Sequence, residues 1–429
     1  MLVPNSLPST SDRPTIDEMV ATAQSCHSEK LTGAQSTSLP SISTRVVFLT
    51  HYIPLYQVRV FQEITKSIPD FKILLSTPIE PNRDFRPDWS GLDVEVQKTF
   101  MLRRRWKHRS AGFSDPLYIH VPYDTTSRLK SISPDVVVSH ELGARSIAAS
   151  RYCRQSGAKL VLATFMSEHT EQDRGWLRSR VRKRLIRSAD AITYNGPSCR
   201  DYLLSMGAAK EKLFLLPYAA DDRNRLAELP TRDEQAIRHR LICVGQLSER
   251  KGVLRMINQL SDYCKAENRS IELTLVGDGP LRQQISEAPH DERLTVNLLG
   301  NQPARDLPAL MQQNGAAIAP TLADEWLLVV DEAMHAGIPV IGSIYAQAVT
   351  TLVQEGQNGW SYNPLHSKDD TESRTLSDAL NQYFRCDERT IQSMRRSARE
   401  SVASRTPGRS ADGAIAAIKS ALNSNESSG

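Results

Sequence analysis

No run of about 18 apolar residues occurs anywhere in the chain, so no transmembrane helix is expected. Six cysteines are present, at positions 26, 153, 199, 243, 264 and 386, and no two stand in a CxxC spacing. Their scatter argues against a zinc ribbon and suits free thiols in a reducing compartment. The amino-terminal stretch lacks the charged start and apolar segment of a secretory signal. Asp12, Asp17, Glu18 and Glu29 also make it too acidic for a transit peptide. A cytoplasmic protein is the expectation.

What is present is an ordinary globular composition, 40% hydrophobic and 24% charged. At about 150 residues per domain, 429 residues make two to three domains. The net charge of +4 is unevenly spread. Residues 45–217 hold 28 Lys and Arg against 17 Asp and Glu, whereas residues 218–429 hold 23 against 28. A basic first half joined to a mildly acidic second half points to two domains with different partners.

Residues 1–44 are crowded with Ser, Thr and Pro and read as a disordered tail. From Arg45 onward, short apolar runs alternate with helical patterns. Strands are expected at 46–50, 71–75, 135–139, 159–164 and 191–194, with helices such as 58–66, 144–155 and 177–187 between them. After a polar stretch between 217 and 240 the rhythm restarts, with strands at 240–244, 271–276, 294–299, 316–320 and 339–342. Buried parallel strands covered by helices on both faces produce such continuous apolar runs. The expected architecture is α/β: two doubly wound, Rossmann-like domains, residues 45–217 and 218–429, facing a central cleft. Ligands of such sheets collect at the carboxyl ends of the strands.

Three strand-to-helix junctions of the second domain stand out. The first, Val244-Gly245-Gln246-Leu247-Ser248-Glu249-Arg250-Lys251-Gly252, sets two adjacent cations before a helix. That setting suits a diphosphate, although the tripeptide taken alone reads more readily as a solvated basic loop. The second, Val276-Gly277-Asp278-Gly279-Pro280, has glycines that permit close backbone approach to a ligand or simply make a turn. The third runs from Pro320 through Asp324, Glu325, Trp326 and Leu327 to Glu332, Ala333 and Met334. Capping at a helix N-terminus accounts for Asp324 and Glu325. Glu332 lies one or two turns inside an apolar helix, where a carboxylate needs donors such as sugar hydroxyls.

In this order, GxLxxRKG (245–252), VGDGPL (276–281), an acidic residue separated by seven others from Glu332, GIPVIGS (337–343) and EGQNGW (355–360) resemble glycosyltransferase family 4. That is the large group of retaining, nucleotide-sugar-dependent transferases with the GT-B fold. Leu215-Leu216-Pro217-Tyr218-Ala219-Ala220-Asp221 resembles the lead into the family's donor domain, and His51-Tyr52-Ile53-Pro54-Leu55-Tyr56 a first-strand loop of one branch. The likeness runs from about Arg45 to Ser404. It implies an acceptor-binding first domain and a donor-binding second domain, with the last helix packing back on the first. Lys251, helped by Arg250, would neutralise the donor diphosphate, and Glu332 would accept from the ribose hydroxyls. Asp324 would contact the transferred sugar, the backbone of Trp326 and Leu327 would face sugar and phosphate, and residues Asn297 to Asn301 would border the nucleobase. Gly245, Gln246, Gly277 and Gly279 complete the expected donor site.

The departures are equally specific. Asp324 stands where the family has Glu, Leu327 where it has Gly, and Gln246 where Arg is frequent, while Ser343-Ile344-Tyr345-Ala346-Gln347 replaces a Gly-rich loop. They motivate an alternative, a catalytically silent GT-B protein that binds a sugar nucleotide or a partner without turnover. No DxD triplet occurs, so Lys251 and Arg250 take the part of a divalent metal and no metal cofactor is expected.

On the acceptor side, Glu168 and His169 follow the strand at 159–164 and are candidates to hydrogen-bond the sugar or move the acceptor proton, as against an ordinary polar loop. His51, Tyr52 and His140 are candidate acceptor contacts at other strand ends. Two basic clusters, Arg103–Arg109 around Trp106 and Arg174–Arg187 with Trp176 and Leu177, fit an anionic lipid surface or a helix with arginines in water. No nucleic-acid module accompanies the charge. The implied acceptor is a glycan, polysaccharide or lipid-linked sugar, met in the cytoplasm or on the inner face of the membrane.

Overall fold

The computed structural model describes residues 43–423, apart from 82, 84–85, 173–174 and 367–372. The expected tail therefore lies outside the described residues except for Ser43 and Thr44. Arg174 of the second basic cluster lies outside them too.

Two parallel sheets organise the chain. The first contains β1 (Val46–Thr50), β2 (Phe71–Leu75), β3 (Asp93–Val96), β6 (Val136–His140), β7 (Lys159–Ala163), β8 (Ala191–Tyr194) and β9 (Leu213–Leu215), in the spatial order β3-β2-β1-β6-β7-β8-β9. Between β3 and β6 the chain makes a separate antiparallel hairpin, β4 (Thr99–His108) and β5 (Phe113–Pro122). The second sheet contains β10 (Arg240–Val244), β11 (Ile271–Val276), β12 (Leu294–Gly300), β13 (Ala316–Ala319), β14 (Val340–Ser343) and β15 (Gly359–Tyr362), in the order β12-β11-β10-β13-β14-β15. All five residues of β1 are buried, as a central strand covered on both faces requires.

In both sheets the strand order reverses beside the first strand, between β1 and β6 and between β10 and β13. Loops leaving such neighbours diverge to opposite faces and open a crevice at the carboxyl edge. The first crevice is bordered by Thr50-His51 and His140-Glu141, the second by Gly245 to Lys251 and Pro320 to Leu327. Sequence motifs and sheet topology therefore converge on the same two places.

The helix 407–423 closes the first domain. Its Ala411, Ala414, Ala417, Ile418 and Ala421 share a core with Val60, Phe61 and Ile64 of the helix 55–67. The hairpin bridges the domains: Ala111 and Phe113 at its tip pack on Leu322 and Ala323 of the second domain. No described helix is long and apolar enough to cross a membrane. The five described cysteines are free thiols.

Candidate active site between the domains

The loop after β10 ends in a short 3-10 turn, Glu249–Lys251, before the helix 253–267. Gly252 adopts φ 70°, and a Cβ there would lie 2.3 Å from the Pro320 carbonyl oxygen. Glycine thus lets the Arg250-Lys251 turn lie directly against the end of β13. Leu322 N donates to Arg250 O at 2.8 Å, tying the two loops together.

This juxtaposition brings Asp324 onto both cations. Lys251 Nζ donates to Asp324 Oδ2 at 2.5 Å and Arg250 Nη1 to the same oxygen at 3.0 Å. Arg250 Nε reaches across to Asp115 Oδ2 of the hairpin at 2.9 Å. Each of these four side chains is at most 17% exposed, so the charges interact in a poorly solvated cleft. Burial pushes the Asp324 carboxyl up, but Lys251 and then Arg250 outweigh it and hold the group well below the usual carboxylate range. The two cations expected to grip a diphosphate are therefore held by carboxylates. Asp324 caps the cations rather than standing apart from them.

Leu327 sits at φ 78°, a left-handed conformation that disfavours a branched side chain. The backbone shape associated with glycine at this position is kept, and the leucine side chain is buried with Trp326, Val330 and Met334. Trp326 is likewise buried by its side chain. Its Nε1 donates to Asp331 Oδ2 at 2.6 Å, and Arg405, bound to the other Asp331 oxygen at 2.7 Å, lies over its ring.

Glu332 borders a small hollow of about 30 Å³, lined also by Asp221, Asn224, Arg225, Leu307, Pro308 and His335 among others. Among the described residues no side chain or backbone N–H donates to its carboxylate. Burial, and then Asp331 and Asp221, push its carboxyl up to about 7. A half-buried carboxylate without donors is what a ligand bearing hydroxyls would satisfy.

The opposite wall belongs to the first domain. His51, His120, His140, Glu141, Arg145 and Arg178 line a cleft of about 640 Å³ that also touches Gln246, Arg250 and Glu325. His51 and His140 stack with ring centroids 5.3 Å apart. Burial lowers the basicity of both, His140 to about 3. Tyr52 is buried behind His51, with its ring edge-on at 4.7 Å.

Several expected residues fall elsewhere. Glu168 is exposed at the first turn of the helix 168–171 and does not line the cleft, because the Ser167 capping box turns it outward. His169 Nε2 is committed to the Leu322 carbonyl at 2.8 Å, and its ring stacks on Tyr345 at 4.5 Å, so it is a domain-bridging contact. The glycines of Val276–Pro280 serve loop packing: a Cβ on Gly277 would lie 2.0 Å from Gly245 O, and one on Gly279 2.4 Å from Leu247 O. Asn301 is exposed just past β12. In the second basic cluster Arg182 is buried against Glu171 and Tyr202, which removes it from any docking surface. Trp176 and Leu177 are 76% and 61% exposed, and Phe100 beside the Arg103–Arg105 run of β4 is 59% exposed. Sequence reasoning missed His120, Asp115 and Arg145. None lies in a motif, and the hairpin that delivers the first two has no periodic signature.

Residues 56–219 match a family described as Glycosyl transferase 4-like domain, and residues 238–383 one described as Glycosyl transferases group 1. No curated protein matches the chain in sequence. Among solved structures, Anabaena Alr3699/HepE in complex with UDP superposes with a TM-score of 0.63 at 16% identity, over 89% of this chain and 100% of that one. The lipopolysaccharide outer core galactosyltransferase WaaB gives 0.61 at 15% identity, over 88% and 99%. Sucrose-phosphate synthase from Thermosynechococcus elongatus gives 0.60 at 14% identity, over 89% and 100%. At such identities the likeness establishes the GT-B fold.

Proposed function

The chain belongs to the group 1 glycosyltransferases, and from that premise we propose that it moves a sugar from a nucleotide diphosphate donor to an acceptor hydroxyl with retention at the anomeric carbon. One observation carries the reading: two adjacent cations, Arg250 and Lys251, converge on a single carboxylate oxygen at the topological crevice of the second sheet. A site that already holds one anionic oxygen there is built to hold the oxygens of a diphosphate. The donor's negative charge grows as the glycosidic bond breaks, and fixed cations beside the leaving group stabilise it most at that moment. In this reading the diphosphate is neutralised by side chains and needs no metal.

Donor entry displaces Asp324 from the cations and frees it to accept from hydroxyls of the transferred sugar. Glu332, without donors in its hollow, takes the ribose hydroxyls. HepE has been seen with UDP and with UDP-glucose, which supports a uridine-type donor here. The acceptor enters against the wall of His51 and His140. Arg103, Arg104 and Arg105, with exposed Phe100, Trp176 and Leu177, support an acceptor met at an anionic membrane surface. A glycan or lipid-linked sugar is the class of acceptor proposed.

One observation favours a second reading, binding without turnover: both cations already have carboxylate partners, so a donor must compete for them. A panel of nucleotide sugars, assayed for transfer to lipid-linked and soluble glycans and for slow donor hydrolysis, tests the proposal. Turnover with the product anomer matching the donor, read by proton NMR, supports it. Tight binding with neither transfer nor hydrolysis favours the silent reading.

A further inference from the structure

The absence of a DxD triplet bears on the diphosphate side of the cleft alone. The opposite wall gathers a different set of groups at the crevice between β1 and β6. His51, His140 and Glu141 each offer a ligand atom there, and these atoms all lie within 4.8 Å of one another. His51 Nδ1 is buried and has no hydrogen-bond partner among the described residues. It faces Glu141 Oε1 at 3.9 Å, too far for a hydrogen bond. Two ligand atoms bound to one ion at about 2.0–2.2 Å each, at a tetrahedral angle, stand roughly 3.3–3.6 Å apart, so a closure of a few tenths of an ångström would bring this pair to that separation.

The surroundings are arranged as outer-shell support. His140 Nδ1 lies 3.0 Å from Thr50 Oγ1, which also lies 3.4 Å from Tyr52 O. The tautomer in which His140 Nδ1 donates to Thr50 Oγ1 leaves the Nε2 lone pair for a ligand, the usual arrangement behind a metal-bound imidazole. His120 stands 5.9 Å from His51, ring centre to ring centre, with Nε2 held by Glu80 at 3.1 Å and Nδ1 buried without a partner among the described residues. Glu141 holds a left-handed backbone at φ 66°, which a non-glycine residue adopts only under constraint. Its side chain is more than half exposed, to the cleft. Arg145 opposes an ion: its guanidinium bonds His140 O and Ser76 nearby. Glu80 and Glu141 place two negative charges along the same wall.

We propose that His51, His140 and Glu141 form a binding site for one divalent transition-metal ion of the zinc class, on the acceptor wall and apart from the Arg250-Lys251 pair. Two imidazoles and one carboxylate favour zinc, or cobalt as its probe, over magnesium and calcium, which select oxygen ligands. The remaining coordination positions face the cleft and are open to water or to an oxygen of an entering ligand. This occupancy does not depend on the transferase reading.

The test uses the full chain freed of metal by chelator and dialysis. Titration calorimetry with zinc chloride, and absorption with cobalt chloride, measure binding to the wild type, to His51→Phe, which keeps an aromatic ring against His140, and to Glu141→Gln. One equivalent of zinc for the wild type, weakened at least about tenfold in each variant with loss of the cobalt d–d bands, is the expected result. Melting curves of the metal-free variants check that they fold. Failure of the wild type to bind one equivalent, or binding by both folded variants as tight as wild type, overturns the site.

Discussion

Lys251 and Asp324 form a 2.5 Å hydrogen-bonded ion pair in the floor of the cleft, and Arg250 shares the same Asp324 oxygen. The pair links the loop after β10 to the loop after β13, so the expected donor cations and the expected sugar-binding acid are one electrostatic unit. Replacing Asp324 by Asn leaves Lys251 nearly buried without its counter-charge. Losing one partner of a buried pair costs about 3–5 kcal/mol, and here the loss falls to about 2–3 because Arg250 keeps Asp115. The variant should melt at a lower temperature, and UDP at about 100 times its dissociation constant should restore about 2.7 kcal/mol. Calorimetric melting with and without UDP measures both. An unchanged melting temperature without ligand would show that the pair contributes nothing.

Asp115 competes from the other domain. Its carboxylate lies 2.9 Å from Arg250 Nε, and Ser114 N donates to Glu249 Oε2 at 2.8 Å beside it. Asp115→Asn removes the charge and keeps the hairpin's shape. Competing with this poorly solvated ion pair costs at least about 1 kcal/mol, so UDP should bind the variant at least roughly fivefold more tightly. Weaker binding in the variant would instead make Asp115 part of the donor site.

At Leu327 the expected order of two substitutions is inverted. Alanine removes the buried side chain at a cost of about 2–5 kcal/mol and keeps the unfavourable φ of 78°. Glycine loses the same side chain but recovers about 1–2 kcal/mol of left-handed strain. Leu327→Gly should therefore be more stable than Leu327→Ala by about 1 kcal/mol in urea melts, although glycine is normally the poorer choice. The reverse order would mean that φ carries no strain there.

Glu332 gives the chain a pH-dependent penalty. Its folded carboxyl titrates at about 7, above the unfolded value of 4.5, because of burial and of Asp331 and Asp221. The folded state thus holds the proton more tightly. The stability linked to this group is complete below about pH 4.5 and is lost as pH rises to about 7, by about 3 kcal/mol at most. Glu332→Gln, which cannot ionise, should match wild type in stability at about pH 4 and exceed it at pH 8. Equal differences at both pH values in denaturant melts would contradict the assignment.

The sheets were legible because strands such as Val46–Thr50 are continuous apolar runs that only a doubly covered parallel strand explains. The hairpin was not. Arg103-Arg104-Arg105-Trp106-Lys107 neither alternates nor stays apolar, and the strand exists through its pairing with β5 and the docking of Ala111 and Phe113 on Leu322. Arg250 and Lys251 stood out as adjacent cations before a helix and Glu332 as a carboxylate inside an apolar one, and the ordered motifs around them gave their expected roles. That Asp324 would bind the cations did not, since spacing along the chain says nothing of which loops meet in space. Glu168 was misplaced because one residue's shift at a helix start turns a side chain from cleft to solvent.

The account turns on Lys251 holding a diphosphate, and calorimetry of UDP binding to wild type and to Lys251→Ala tests it most directly. Arg250 remains to balance Asp324 in the variant, so the fold is expected to survive, which circular dichroism checks. The prediction is saturable binding by wild type and a loss of at least about a hundredfold, near 2.7 kcal/mol, in the variant. Equal affinity in a folded variant would contradict the proposed site.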